Sequence, residues 1–160
     1  RITDMDMNLK AFMKAELKDR GTVEFPGVKK FTDSKGEPIP FIIKQLSMKE
    51  IKEIRNLYKT TEVFRDKKNG GRPVIENGQV VVRRDYDAER AGLHIMVEAL
   101  VQPKLDDPEL MEFYGVNDRL DMPELLFDRE DFRYVNECVM EACGLKAKPD
   151  EEETVDKIKN

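Results

Sequence analysis

The sequence predicts an α+β fold: a single small domain in which two β-hairpins pack with about five helices around a central helix. Three observations carry this reading. Residues 86–101 hold a helical period that is apolar over an unusually wide arc. Two apolar stretches turn back on themselves at Asp33-Ser34-Lys35-Gly36 and at Asn77-Gly78, both strong turn sequences. The last third of the chain is cut into short helices by proline and glycine. A length of 160 residues suits one core, so residues 1–145 are read as the domain. Residues 146–160 are charged, lack an apolar period and are expected to be disordered.

From the start, Asn8 is placed to cap a helix carrying Leu9, Phe12, Met13 and Leu17 and ending near Gly21. Residues 22–31 read as extended, with an interruption at Pro26-Gly27. After the Asp33 turn, residues 39–46 form the partner strand, with Phe41 and Ile43 facing one way and Ile42, Lys44 and Leu46 the other. Ser47-Met48-Lys49-Glu50 is a capping box. The helix it opens carries Met48, Ile51, Ile54, Leu57 and Tyr58 on one stripe and is expected to end in 61–64. Residues 65–72 hold four basic side chains and two glycines and read as a mobile surface loop. Asn77-Gly78, between Val74-Ile75 and Val80-Val81-Val82, predicts a type I′ hairpin.

In the central helix Tyr86, Leu93, Met96, Val97 and Leu100 share one face, while Ala88, Ala91, Gly92, Ile95 and Ala99 make a second, small-residue face. Such a helix should be buried on two sides, with Pro103 ending it. Beyond it, Asp107-Pro108-Glu109 is cap, first-turn proline and first-turn acid, and Gly115 closes that turn. Met122-Pro123 repeats the device, with Asp121 as a helix-start residue. Asp128 opens the last helix, with Phe132, Val135, Val139 and Cys143 inward and Gly144 just past its end.

Composition narrows function. A net charge of −5 argues against a nucleic-acid or anionic-membrane footprint. No apolar run approaches membrane-spanning length, and no charged-then-apolar leader opens the chain. Cys138 and Cys143, five apart on one helix, point to different faces and suit a reducing compartment. His94 is the one histidine, set between Arg90 and Glu98 on a polar stripe, an ordinary solvated position. The acids 106–124 do not fit a calcium loop, and Gly70-Gly71 is not a phosphate loop. No cofactor, metal or catalytic residue is therefore expected, and an enzyme is not the reading. The basic residues Arg65, Lys67, Lys68, Arg72, Arg83 and Arg84 bracket the second hairpin and read as a solvated surface.

The segment Val28-Lys29-Lys30-Phe31-Thr32-Asp33-Ser34-Lys35-Gly36-Glu37-Pro38-Ile39 resembles the first hairpin of the tail assembly chaperones of contractile-tailed phages and PBSX-like prophages. Phe41-Ile42-Ile43-Lys44, Glu50-Ile51-Lys52-Glu53-Ile54-Arg55 and Asn8-Leu9-Lys10-Ala11-Phe12 are similar to the same family. So is Val101-Gln102-Pro103-Lys104-Leu105-Asp106-Asp107-Pro108-Glu109-Leu110, continuing to Phe113-Tyr114-Gly115-Val116. Pro40-Phe41-Ile42 departs from the family, which more often has an aromatic followed by an acid there.

The resemblance implies a non-catalytic protein of the bacterial host cytoplasm. It would bind the coiled-coil-rich tape measure protein, assist tail-tube subunits around it and leave before the particle is complete. Tail-tube protein and further copies of the chain are additional candidate partners; membrane and nucleic acid are not expected ones. The alternatives are a tail or virion accessory protein that stays in the particle, and a small nucleic-acid-binding regulatory module. For a partner surface, the resemblance and the local apolar content together select Leu110, Met111, Phe113, Leu125, Leu126 and Phe127 on two short helices. Met111 and Leu126 are expected to be part-exposed and Tyr114 to lie in the core.

Overall fold

The computed structural model describes residues 4–14 and 21–145. Helix α1 (Asp4–Lys14) begins before Asn8, which therefore sits inside it rather than capping it. Leu9, Phe12 and Met13 are all exposed; Leu17, the end of this helix and the 146–160 tail lie outside the described residues.

Strands β1 (Thr22–Phe25) and β2 (Phe41–Lys44) pair antiparallel, Val23 opposite Ile43 and Phe25 opposite Phe41. The expected turn lies between them. Asp33 Oδ1 accepts the N–H groups of Lys35 and Glu37 at 2.8 and 3.0 Å, and Gly36 takes a φ of 81°. Phe41 and Ile43 are buried while Ile42 and Lys44 are half-buried, as their alternation requires. At Gly27 the backbones touch: a Cβ there would lie 1.9 Å from the Ile39 carbonyl oxygen.

Helix α2 (Met48–Asn56) starts at Ser47, whose hydroxyl accepts the Glu50 N–H at 3.1 Å. Ile51 and Ile54 turn inward, but Met48 and Leu57, expected on the same stripe, are 81% and 67% exposed. The helix also stops well short of 61–64. The β-branched run Thr60, Thr61 and Val63 enters strand β3 (Lys59–Val63) instead, where a partner strand is available.

Residues 65–72 are not a loop. They form β4 (Arg65–Asp66), a 3₁₀ turn capped by Asp66, and β5 (Arg72–Pro73). A second small hairpin joins β6 (Ile75–Glu76) to β7 (Gln79–Val80). Asn77 and Gly78 there have φ of 52° and 77°, the type I′ turn predicted. The chain returns as β8 (Val82–Tyr86), pairing with β3 from Lys59–Tyr86 to Val63–Val82. The three hairpins meet in a closed ring of backbone hydrogen bonds. Phe64 donates to Val81 (3.0 Å), Val81 to Val74 (2.8 Å) and Val74 to Phe64 (2.8 Å). Every residue of β3 and β8 is exposed. The second hairpin thus stands off as an arm rather than packing on helices, because its alternation is of Thr, Arg, Glu and Asp and leaves no apolar face wide enough to bury.

Helix α3 (Ala88–Ala99), capped by Asp87, buries Leu93, Met96 and Val97 on one side and Ala91, Ile95 and Ala99 on the other. It is the central helix, but shorter than 86–101. Tyr86 belongs to β8, and Leu100 opens strand β9 (Leu100–Gln102), which adds to β2 to make a three-stranded sheet of order β1-β2-β9. Residues before a proline favour extended backbone, so the chain leaves the helix ahead of Pro103. It continues through a cis Gln102–Pro103 bond.

Helix α4 (Pro108–Tyr114) has Asp107 as cap and Gly115, φ 65°, as its left-handed stop. In place of Asp121, Asp118 does the capping, its Oδ1 accepting the Leu120 N–H at 3.0 Å ahead of α5 (Met122–Leu126). Helix α6 (Arg129–Ala142) is capped by Asp128 and ends at Gly144, φ 69°. The core joins Phe41 and Ile43 of the sheet to Met96 and Val97 of α3, with Leu105, Met122, Val135 and Val139. No polar side chain is buried among the described residues.

Candidate partner-docking surface

Helix α4 is two turns long and buries none of its residues fully. Proline at its first position and glycine after its last fix its ends, so its apolar side chains are distributed by helical geometry alone. Leu110 and Met111 are half-buried against the core, whereas Phe113 is 79% exposed. Tyr114, expected in the core, is exposed and holds its ring edge-on to Phe113, centroids 5.0 Å apart.

The second short helix divides its residues differently. Leu125 is half-exposed, but Leu126 and Phe127 are 6% and 3% exposed. The expected part-exposure of Leu126 is not found, and Phe127 is a core residue, edge-on to both Phe31 (6.2 Å) and Phe41 (5.9 Å). A five-residue helix pinned by buried Met122 and Pro123 has one inward face, and Leu126 falls on it. Of the six residues chosen from sequence, Phe113 and Leu125 are free at the surface, Leu110 and Met111 are at its edge, and Leu126 and Phe127 support it from beneath.

Between α4 and the first hairpin lies a narrow apolar cleft of about 190 Å³. One wall is Phe31, Ile39 and Phe41; the other is Pro103, Leu110, Tyr114 and Leu126. The amide of Gln102 also lines it, but Nε2 already donates to the Pro40 carbonyl at 2.8 Å. The cleft is therefore lined almost wholly by apolar side chains, with room for roughly one large side chain. Met111 faces the opposite side of α4, where an open groove runs past Pro108 and Val116. Phe31, Ile39 and Pro103 were not among the residues selected from sequence. They reach the cleft only through pairing across distant segments, which no local period records.

Polar geometry around α3 is more built than its sequence suggests. His94 is half-buried: Arg119 Nη2 lies 3.1 Å from its Nε2, and Tyr58 Oη 2.7 Å from its Nδ1. A guanidinium only donates, so Nε2 is the acceptor and Nδ1–H donates to Tyr58. Burial, then the Arg119 charge, hold the His94 pKa below its ordinary value against a smaller opposing pull from Glu98. Arg119 Nη1 also reaches Glu98 at 3.4 Å, and Arg90 pairs with Asp118 at 2.6 Å. This network ties the turn after α2, helix α3 and the turn before α5 together. Cys138 and Cys143 are both buried free thiols whose pKa values burial pushes up. Among the described residues no group of three or more His, Cys, Asp or Glu side chains is placed to hold a metal ion, and no helix is long and apolar enough to cross a membrane.

Comparison with known proteins agrees with the fold. The crystal structure of the protein YqbN superposes with a TM-score of 0.61, covering 83% of this chain and 92% of that one at 22% identity. In sequence, the PBSX phage-like element protein XkdN of Bacillus subtilis is 27% identical over 115 residues, 72% of this chain and 69% of XkdN. YqbN of the same organism is 28% identical over 115 residues, 72% of this chain and 68% of its own length. The family model described as phage XkdN-like tail assembly chaperone protein matches residues 9–159. That match takes in the hairpin, the α4 cleft and the arm alike, and the chain belongs to the XkdN-like phage tail assembly chaperone family.

Proposed function

We propose that this chaperone binds the tape measure protein, holds it soluble in the host cytoplasm and assists tail-tube assembly around it without catalysing a reaction. The observation that carries the reading is the apolar cleft beside α4, lined in part by the exposed Tyr114, against whose ring the exposed Phe113 packs. An amphipathic helix recognises its receptor by setting one or two large side chains into a groove, the rest of its apolar face lying on the rim. A 190 Å³ cleft with apolar walls accepts one such anchor, and the exposed Phe113 of α4 and Leu125 of α5 would supply further apolar surface for the same helix. A chain of net charge −5 would help keep the resulting complex in solution.

The test is co-expression with the phage's own tape measure protein, reading the soluble fraction of that protein. Phe113→Asp and Leu125→Asp are expected to reduce it, because a carboxylate on the rim must be desolvated when a helix docks. Met48→Asp, equally exposed but on α2, is the control and should rescue like wild type. Equal rescue by all four proteins would remove the α4 surface from the reading.

A further inference from the structure

The arm is basic and the rest of the chain is acidic. Residues 59–86 hold seven basic and four acidic side chains, a net charge of +3, so that a chain of −5 in total carries −8 elsewhere. Directly opposed residues of an antiparallel ribbon share a face. One face of β3–β8 therefore carries Lys59 with Tyr86, Thr61 with Arg84, and Val63 with Val82, and it has no acid. The acids Glu62 and Asp85 fall on the other face, where Asp85 pairs with Arg83 at 3.1 Å.

At its base the basic face opens onto a groove lined by Lys59, Tyr86, Ala88 and Gly92. Ala88 and Gly92 are also the edge of a second groove of about 700 Å³, floored by Leu93, Phe127 and Phe132 and rimmed by three acids, Glu89, Glu124 and Asp128, against one base, Arg129. The two grooves share Ala88 and Gly92, which form a saddle of small residues between them. Gly92 lies on that saddle, and a Cβ on it would meet nothing within 4 Å. Glycine inside a helix carries a cost relative to alanine that the chain's own packing does not require here. Close approach of another backbone accounts for it.

We propose that two copies of this chain pair isologously across this saddle, the basic face of each arm lying in the acidic groove of the other copy. A two-fold axis through Ala88 and Gly92 exchanges arm and groove, so each contact is made twice. Lys59 and Arg84 meet Glu89 and Glu124, and Val63, Val82 and Tyr86 gain an apolar floor. A ribbon with both faces in water, marginal by itself, acquires the third layer it lacks. This contact lies apart from the α4 cleft and does not depend on tape measure binding.

The experiment is sedimentation velocity of the full chain over a range of protein and salt concentrations. Wild type is expected to dimerise at low salt and to shift toward monomer as salt rises. Arg84→Glu and Glu124→Lys, both at exposed positions, should each weaken the dimer at least roughly tenfold. Mixing the two variants should restore it, since one contact then pairs Glu on the arm with Lys in the groove and the other is wild type. Circular dichroism melts establish that both variants fold. A wild type that stays monomeric, variants that dimerise like wild type, or a mixture that stays monomeric would each overturn the proposal. Salt-sensitive retention of a monomeric wild type on DNA would instead give the basic face to nucleic acid.

Discussion

The helical body and the β arm are hydrogen-bonded with similar regularity and buried to opposite degrees. In the body, α3 buries six residues, on both its faces. In the arm, ten residues of paired strand are all exposed. Backbone pairing satisfies donors and acceptors, but net stability comes mainly from the apolar area removed from water. The body is therefore a folding unit. The arm is a shape, held by turn chemistry at Asn77-Gly78 and by the ring of bonds at Phe64, Val74 and Val81.

The largest expected effect tests the body side of that contrast. Leu100→Ala, at a site 3% exposed between α3 and β2, should destabilise by roughly 2–5 kcal/mol, because the removed atoms leave a cavity. Val82→Ala on the arm should cost under about 0.5 kcal/mol. Urea unfolding of the two variants gives both numbers, and similar losses would abolish the distinction between body and arm.

Glycine sharpens it next. Gly27→Ala forces a methyl group against the Ile39 carbonyl at 1.9 Å, and an overpacking cost of about 1–3 kcal/mol is expected. Gly92→Ala meets open space and should stabilise the monomer by about 0.5–1 kcal/mol through helix propensity. Thermal melts at a protein concentration low enough for monomer separate the two signs. A destabilised Gly92→Ala monomer would show that Gly92 is needed inside the chain after all.

A smaller effect is expected from His94. Its folded-state pKa lies below the ordinary value of about 6.5, so the folded form favours the neutral ring. Its contribution is thus complete above about pH 6.5 and is lost as pH falls toward the lowered folded value. Protonation would also set a second N–H against Arg119, which has nothing to accept it. Urea midpoints measured from about pH 7.5 to about pH 5 should fall more steeply for wild type than for His94→Gln, and equal slopes would assign the acid loss to other groups.

What was legible in the sequence follows the same division. Caps and stops are local chemistry, and Ser47, Asp107, Asp128, Gly115 and Gly144 all act where their patterns place them. The central helix was legible because two apolar faces leave one arrangement of burial. Its last turn was not, because Leu100 becomes a strand only when β2 is beside it. The arm was half legible: the turn at Asn77-Gly78 is written in two residues, whereas the β3–β8 pairing joins distant residues, from Val63 with Val82 to Lys59 with Tyr86. The family itself was legible in motifs that are structural rather than chemical, and the family match bears this out. For the proposed docking surface, the apolar content of α4 and α5 is all that the sequence offers. Which side chains face water there depended on walls contributed by Phe31, Ile39 and Pro103.

The smallest expected effect is on the arm as a whole. Its base is closed: Lys59 opposes Tyr86 in the register, and the Asp87 N–H donates to the Tyr58 carbonyl at 3.0 Å. Directly opposed residues of an antiparallel pair are about 5 Å apart, so residues 61–84 can be replaced by a two-residue Asn-Gly turn without moving α2 or α3. Loop closure changes little, since shortening a connection alters its entropy only logarithmically. If the arm contributes no burial to the body, urea unfolding of the excised chain should match wild type to within about 0.5 kcal/mol when both are monomeric. The denaturant slope should also fall only slightly, since little apolar surface is removed. The same deletion removes Arg84 and all of the basic face but Lys59 and Tyr86, so self-association should weaken strongly while the stability of the body stays. Loss of stability together with loss of association would mean that the arm is part of the folding unit, and the contrast between a buried body and a projecting arm would have to be abandoned.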